Sequence, residues 1–472
     1  MSNVVIHWFR QDLRLSDNPA LLKAASQGKV LAVYILDDKN AGKDAMGAAS
    51  RLWLHHSLSE LNASLGGKLN FYSGDAVKII DMLVKHHQAK AVYWNRCYEN
   101  WRIKRDGLIK ENLKKDEITS ESFNASLLFE PWETLKSDGS QYKIFTPFFK
   151  NSYMGSKQPR LPLAQPEEIE LVRDLNSDSL EQLELLPKTN WGSKISSHLQ
   201  SGEKAGQLRL NQFLDSGIGS YKVGRDFPSK SSVSGLSPYL HFGEISPNQA
   251  WYAAKMKNED ENSERFCSEL GWREFSYSLL YHFPELPDKN WQAKFDNFPW
   301  RYDKELLEKW QKGQTGFPII DAGMRELWQT GYMHNRVRMI VASFLVKNLL
   351  IDWRCGAKWF WDCLFDADLA ANSASWQWVA GCGADAAPYF RIFNPITQGE
   401  KFDPQGQYTR RFVPELAKLP DKYLFAPWQA SDEILSKAGV ILGKNYPKPI
   451  VDLKESRKRA LSALALMSNP TS

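Results

Sequence analysis

The chain has 472 residues, 43 % hydrophobic and 24 % charged, with a net charge of +5, which describes a globular protein of two or three domains and permits a phosphate-binding face without demanding one. Five scattered cysteines, odd in number and lacking C-x-x-C spacing, argue against a disulfide framework and a zinc site. No secretory segment is visible, and the longest apolar run, near residues 339–346, is too short to cross a bilayer, so a reducing, cytoplasmic setting is expected.

Residues 1 to about 130 alternate short apolar runs with amphipathic stretches. Residues 4–9, 30–36, 69–72 and 91–94 predict strands; 19–26, 48–64 and 76–87 predict helices. The alternation predicts an α/β domain with a Rossmann-like parallel sheet. G-x-G-x-x-G is absent after the first strand, so a standard dinucleotide site is not expected there. The histidine pairs His55–His56 and His86–His87 are adjacent in sequence. Adjacent residues point to different sides of a helix, so no metal site is assigned.

From Phe129 to about Gly202 prolines and polar residues dominate, predicting a long connection laid over the surface. After residue 203 the pattern is helical. Ser237-Pro238 and Ser246-Pro247 each place an N-cap before a first-turn proline. Residues 264–283 and 332–351 show helical spacing of large apolar side chains.

Four stretches carry residue types suited to chemistry. In S-K-S-S-V-S-G-L-S (residues 229–237) hydroxyls and a glycine lead into a helix start, where backbone N–H groups and the helix dipole attract phosphate. It lacks the G-K-[ST] of a P-loop, and on its own an ordinary capped loop explains it better. In 264–283, Glu269, Trp272, Arg273 and Ser276 share one face, and Gly271 interrupts the helix at a cost of about 1 kcal/mol relative to Ala. Something flat or bulky pressing on the backbone would account for that glycine. An exposed charged stripe with one boundary Trp explains the face equally well. In Y-M-H-N-R-V-R-M (residues 332–339), Asn335 and Met339 share a face, and Arg336 and Arg338 suit phosphate or carboxylate. Surface ion pairs are the plainer role for the arginines, and a hydrogen-bonded structural role for His334.

Residues 353–382 are the most informative. Trp353, Trp359, Trp361, Trp376 and Trp378 surround Asp366, Asp368 and Asn372. Indoles are costly to fit into a bland core and need a partner for each N–H. They suit stacking on flat partners and passing single electrons, the needs of a flavin and a nucleobase. N-capping is the plainer role for the aspartates. Trp378 lies roughly 200° around the helix from Trp376, so the two indoles serve different environments.

Further motifs are H-W-F-R-Q-D-L-R-L-S-D-N-P-A-L (7–21), S-G-L-S-P-Y-L-H-F-G-E-I-S-P (234–247), E-L-G-W-R-E-F (269–275) and T-G-F-P-I-I-D-A-G-M-R (315–325). M-H-N-R-V-R-M, D-A-D-L-A-A-N-S-A-S-W-Q-W and Y-F-R-I-F-N-P (389–395) complete the series. In this order they resemble the photolyase/cryptochrome family over nearly the whole chain, and within it the chain looks like a bacterial cyclobutane pyrimidine dimer photolyase.

The resemblance implies an α/β antenna-binding domain (1–130), an interdomain connection (131–202) and an all-α FAD- and DNA-binding domain (203–472). It implies FAD, active when reduced, with Tyr221 and the loop Val233, Ser234, Gly235, Leu236 and Ser237 on its adenine–pyrophosphate side. Asp366 and Asp368 flank the sugar and ring edge, and Asn372 faces flavin N5. Ala367, Trp272 and Arg338 complete the cofactor set. Arg225 and Arg336 grip phosphates of UV-damaged DNA, single- or double-stranded. Glu269, Trp272, Asn335, Met339 and Trp378 line the pocket for a flipped-out dimer, and photolyases are among the enzymes known to flip their base. Trp376, Trp353 and Trp300 match the family's electron chain. Light drives one electron from reduced FAD to the dimer and back.

Family members that repair (6-4) lesions carry histidine at the positions of both Asn335 and Met339, which argues against that chemistry. Val233 stands where many relatives have Thr. Arg102 falls where folate-binding relatives carry Glu, which weakens a folate antenna and leaves a deazaflavin, or none, open. A cryptochrome-type photoreceptor without repair activity is the alternative, although little chain follows residues 446–460 to form a long variable tail. A flavin-free nucleic-acid-binding module is the blandest option. A monomer with no membrane association is expected.

Overall fold

The computed structural model describes residues 3–155, 157–188, 191–196, 199–386 and 390–468. Tyr389, which opens the Y-F-R-I-F-N-P motif, lies outside them. Packing divides the chain into two compact units that interleave along the sequence. The first comprises the described residues of Met1–Tyr221, Ser234–Pro284 and Phe365–Ala371; the second comprises those of Lys222–Val233, Glu285–Leu364 and Asn372–Ser472.

The first unit is built on a parallel sheet of β1 (Val4–Phe9), β2 (Lys29–Leu36), β3 (Asn70–Ser73), β4 (Ala91–Asn95) and β5 (Thr119–Phe123), in the order β3-β2-β1-β4-β5. A two-residue strand, β6 (Leu171–Val172), adds to β2 beside Val30 and Leu31. Val5 of β1 lies beside Val30 of β2 and Ala91 of β4. β1 and β2 are buried along nearly their whole length, as a parallel sheet covered on both faces requires. Ile6, Trp8, Val33, Val92 and Trp94 share one core with Ile80 and Leu83 of the helix Ala76–His87 and with Ile109 of the helix Asn100–Lys115.

Four predicted strands and three predicted helices are present, within a residue or two of their expected ends. The helix Asn100–Lys115 and strand β5 escape the pattern. The helix is charged on most sides, and T-S-E-S-F is a polar strand at the sheet edge. The expectation of a surface connection across 131–202 needs correction. This stretch contains the helix Phe145–Tyr153, whose Phe145, Phe148 and Tyr153 are buried, and it returns β6 to the sheet.

Two signature motifs lock together in the first unit. Leu13 N–H donates to Phe242 O (3.1 Å), and Arg14 donates to Gly243 O (2.8 Å) and Ala125 O (2.9 Å). Gly243 has φ +67°, and a Cβ there would sit 2.0 Å from Gln11 O. Asp12 accepts from Arg10 N–H (2.6 Å) and the Asn95 amide (2.5 Å), so the polar end of the first motif is spent on backbone architecture.

Ser246 caps the helix Pro247–Lys257 with a reciprocal capping box through Gln249, as predicted. Ser237 does not cap. It is the first residue of the helix Ser237–Phe242, which begins after Leu236 without a side-chain cap. The helix Glu261–His282 carries Gly271, and the flat object against it is Phe149, whose ring lies 2.3 Å from where a Cβ would be.

In the second unit, the stretch 332–351 is less continuous than its apolar spacing predicts. An α-helix runs from Asn335 to Ser343, and Phe344–Asn348 forms a π-helical turn. His334 caps it, its Nδ1 accepting from Arg336 N–H (3.2 Å), and burial drives its pKa down to about 4. Asp321 of T-G-F-P-I-I-D accepts from Thr315 N–H (2.7 Å), Gly316 N–H (3.0 Å) and the Tyr446 hydroxyl (2.8 Å), a structural knot for the later chain. Among the described residues no helix is long and apolar enough to cross a membrane.

Gly243→Ala is expected to lower folding stability by about 2–4 kcal/mol, because a backbone carbonyl cannot move aside for the new methyl. Gly439→Ala, at φ +72° with open space around it, should cost only about 1 kcal/mol. Denaturant midpoints compare the two; equal losses would show that the motif contact carries no weight.

Candidate functional site

Asp368 is the most constrained of the predicted site residues. It immediately precedes the helix Leu369–Ala380, and its Oδ1 accepts the Ala371 N–H (2.8 Å), so it caps that helix. The cap is only part of its role. Its Oδ2 accepts the Tyr277 hydroxyl and lies 3.5 Å from His241 Nδ1, a buried ring nitrogen without a hydrogen bond. Arg273 lies over the Tyr277 ring at 4.9 Å and donates to Ser126 O (2.7 Å). Burial pushes the Asp368 carboxyl up, but His241, Arg273 and the Ala371 N–H outweigh it and hold the pKa down at about 2.

Glu274, one residue from Arg273, is equally buried and behaves differently. Burial dominates over Arg273, the Leu128 N–H (2.9 Å) and the Tyr153 hydroxyl (3.3 Å), leaving its pKa at about 7. Two buried carboxyls in one unit are thus set apart by their donors. The sequence reading named Arg273 but missed His241 and Tyr277. Their signal was positional: Tyr277 follows Arg273 by one helical turn, and His241 sits inside the 234–247 motif.

The phosphate-type loop has a further feature that sequence missed. Arg209, from the helix Glu203–Gln212, donates to Ser234 O (2.6 Å), and Gly235 bends over it at φ +65°. Leu236 is buried and Ser237 exposed. Tyr221 is buried edge-on against Phe213 (5.4 Å) and Phe266 (5.6 Å). Trp272 stacks flat on Phe145 at 3.8 Å, and Arg273 and Ser276 are largely shielded, so an exposed charged stripe is not what this face is. Glu269 pairs with Arg265 (3.1 Å). Asp366 is partly buried and Ala367 buried.

In the second unit, Arg336 pairs with Asp226 (2.7 Å) and lies 4.4 Å over Phe402, so the ion-pair reading holds for it in this state. Arg338 donates to Met333 O (2.7 Å). Arg225 and Val233 are partly buried; Asn335 is exposed at the helix start, with Met339 one turn further on. The Asn372 amide donates to Ala357 O (3.0 Å).

The tryptophans divide by burial. Trp376 is 2 % exposed and packs onto Gly356, where a Cβ would meet its ring at 2.1 Å, and against Phe360 at 5.0 Å. Trp353 is fully buried, its Nε1 donating to Asn290 Oδ1 (2.9 Å). Trp300 is partly exposed beside Phe298 (4.4 Å). Trp378 is half-buried and donates to Asp385 O (3.1 Å), so the two indoles of W-Q-W do occupy different environments.

The first unit also holds an open cleft at the ends of β1 and β2. Trp8, Tyr34, Trp101, Arg102 and Arg105 line it. The Arg105 guanidinium sits 4.5 Å from the Trp8 ring and 4.9 Å from Trp101. Arg102 pairs with Glu99 (3.3 Å). Ligands of open parallel sheets bind beyond the carboxyl ends of the strands, which is where this cleft lies.

A parallel α/β sheet joined to a largely helical region is the architecture of a two-part enzyme of known family. Residues 5–167 match the DNA photolyase family, and residues 266–466 match the FAD binding domain of DNA photolyase. The chain is 49 % identical to a deoxyribodipyrimidine photo-lyase of Agrobacterium fabrum, covering 99 % of this chain and 98 % of the relative. It is 36 % identical to cryptochrome-1 of Arabidopsis thaliana over 98 % of this chain and 70 % of that protein. The crystal structure of a bacterial class III photolyase from Agrobacterium tumefaciens superposes with a TM-score of 0.95, at 49 % identity, over 99 % of this chain and 98 % of that one. The chain belongs to the DNA photolyase family, and it is an FAD enzyme. The residues present fit the cofactor: a cation beside a glycine bend suits a diphosphate, and an ionised, buried carboxylate suits polar groups of a nucleotide.

Because the folded pKa of Asp368 lies below its unfolded value, its contribution to stability is present above about pH 4 and disappears as pH falls toward 2. Flavin-free Asp368→Asn is therefore expected to show a flatter stability profile than the parent between pH 5 and 2, by roughly 2 kcal/mol. Parallel profiles in urea melts would show that the carboxylate is not held ionised.

Proposed function

We propose that this enzyme repairs cyclobutane pyrimidine dimers in DNA by light-driven electron transfer. When bound and reduced, FAD would supply blue-light electron-donor chemistry to the dimer. The chain's own residues bind, orient and exclude water. Asp366, Ala367, Asp368, Asn372, Arg338, Tyr221 and the loop 233–237 would hold the cofactor. Trp272 and Trp378 stack on the dimer, and Glu269 hydrogen-bonds a base edge. Arg225 and Arg336 take backbone phosphates, with Asp226 releasing Arg336 as DNA arrives. Trp376, Trp353 and Trp300 pass electrons inward. Residues 1–130 serve as antenna-binding domain and 203–472 as catalytic domain, with 131–202 joining them through the packed helix Phe145–Tyr153 and strand β6. We take the enzyme to act as a cytoplasmic monomer, on single- or double-stranded DNA. The cleft around Trp101 would take an antenna pigment; Arg102 in its wall weighs against a folate and leaves a deazaflavin, or no antenna, as the alternatives.

The observation that carries this reading is the start of the helix Asn335–Ser343, which presents Asn335 and Met339 one turn apart, neither of them histidine. A second reading, a blue-light photoreceptor without repair, is favoured by the likeness to cryptochrome-1. Reduced protein under blue light is expected to restore thymine dimers in an oligonucleotide. Intact dimers after illumination, with FAD present, would reject repair and leave the photoreceptor.

Two variants test the electron chain. Trp376→Phe is expected to slow photoreduction of oxidised flavin by about tenfold or more, equivalent to roughly 1.4 kcal/mol of barrier, and to spare repair by reduced enzyme. Gly356→Ala should act similarly by displacing the Trp376 ring. Transient absorption decides; parent-like photoreduction in Trp376→Phe would remove that indole from the path.

A further inference from the structure

The structure assigns a site for a first-row divalent ion of the zinc type to His86, His87 and Asp174, in the α/β part of the first unit. Adjacent helical residues ordinarily diverge by about 100°, which argues against shared ligation. The helix Ala76–His87 ends here, and Gln88 turns left-handed at φ +50°. At this end the two imidazoles converge, with centroids 4.7 Å apart and planes at 89°. One ligand atom from each of His86, His87 and Asp174 lies within 4.8 Å of the others.

The inner pair already has the spacing of ligands. His87 Nε2 lies 3.3 Å from Asp174 Oδ2. Two ligands of a tetrahedral ion, with bonds of about 2.0–2.1 Å, stand roughly 3.3 Å apart. The carboxylate is held in place from behind. The Tyr72 hydroxyl donates to its Oδ2 (2.7 Å) and Asn176 N–H to its Oδ1 (2.9 Å), while Asp174 N–H donates to Asn70 Oδ1 (2.7 Å). Such outer partners orient metal ligands and tune their basicity.

His86 is exposed, so it is the ligand that swings in, and solvent supplies the fourth position. Two imidazoles and one carboxylate suit Zn²⁺, Co²⁺, Ni²⁺ or Cu²⁺. Asp174 follows β6, whose pairing with β2 spans only two residues. The ion therefore staples the returning chain to the helix Ala76–His87, with no part in the flavin chemistry. A simple His87–Asp174 ion pair, with His86 a bystander, is the competing account.

The test uses untagged, chelator-treated holoenzyme and Zn²⁺ alone, followed by calorimetry and by the thermal midpoint. A single saturable equivalent and a raised midpoint are expected, and Co²⁺ should develop visible bands of a low-coordinate site. His86→Ala, an exposed substitution that leaves the fold intact, should weaken binding by about tenfold or more, as should His87→Ala. His55→Ala should bind like the parent. Absence of a saturable equivalent, or parent-like affinity in His86→Ala, would overturn the site.

Discussion

A carboxylate that is buried and still ionised must be surrounded by donors, since a bare charge in a protein interior costs several kcal/mol. Asp368 imposes that constraint here. Three stretches converge on it: the helix Glu261–His282 brings the Tyr277 hydroxyl and the charge of Arg273, the 234–247 motif brings His241 to 3.5 Å, and the aspartate's own segment brings the Ala371 N–H. They are more than a hundred residues apart in sequence at their extremes, yet they belong to one compact unit. The segment Phe365–Ala371 leaves its chain neighbours to join that unit, and the requirement to satisfy Asp368 is a physical reason for the excursion.

The same unit holds the contrast that gives the constraint meaning. Glu274 is as buried as Asp368 and accepts from the Leu128 N–H and the Tyr153 hydroxyl beside Arg273, yet burial dominates and its pKa sits at about 7. Elsewhere in that unit, Arg209 is placed against the bend at Gly235. Charge is therefore distributed by design of contacts and not by burial alone: an anion fixed at one place, a cation at another, and a carboxyl poised between states.

Much of this was legible in sequence, for definite reasons. Strands buried on both faces are continuous apolar runs, so β1, β2 and β4 read directly. Polar edge strands and all-round charged helices carry no such mark, so β5 and Asn100–Lys115 did not. Gly271 was legible as the footprint of a flat neighbour, though nothing local named Phe149. Gly356, under Trp376, was not read at all, because its partner lies twenty residues away. Side-chain types in the site could be listed in advance; their partners, such as Asp226 for Arg336 and Tyr277 for Asp368, arise from tertiary contacts. The rule that neighbouring histidines diverge fails at His86–His87, where the helix stops.

The proposed function requires the ionised Asp368 to hold FAD. It is tested most directly by measuring flavin content, through the absorption of chromophore released from purified parent, Asp368→Asn and Glu274→Gln. The account predicts stoichiometric FAD in the parent and in Glu274→Gln, whose carboxyl is raised to about 7 by burial, and severe loss in Asp368→Asn. Equal FAD in all three proteins would contradict it.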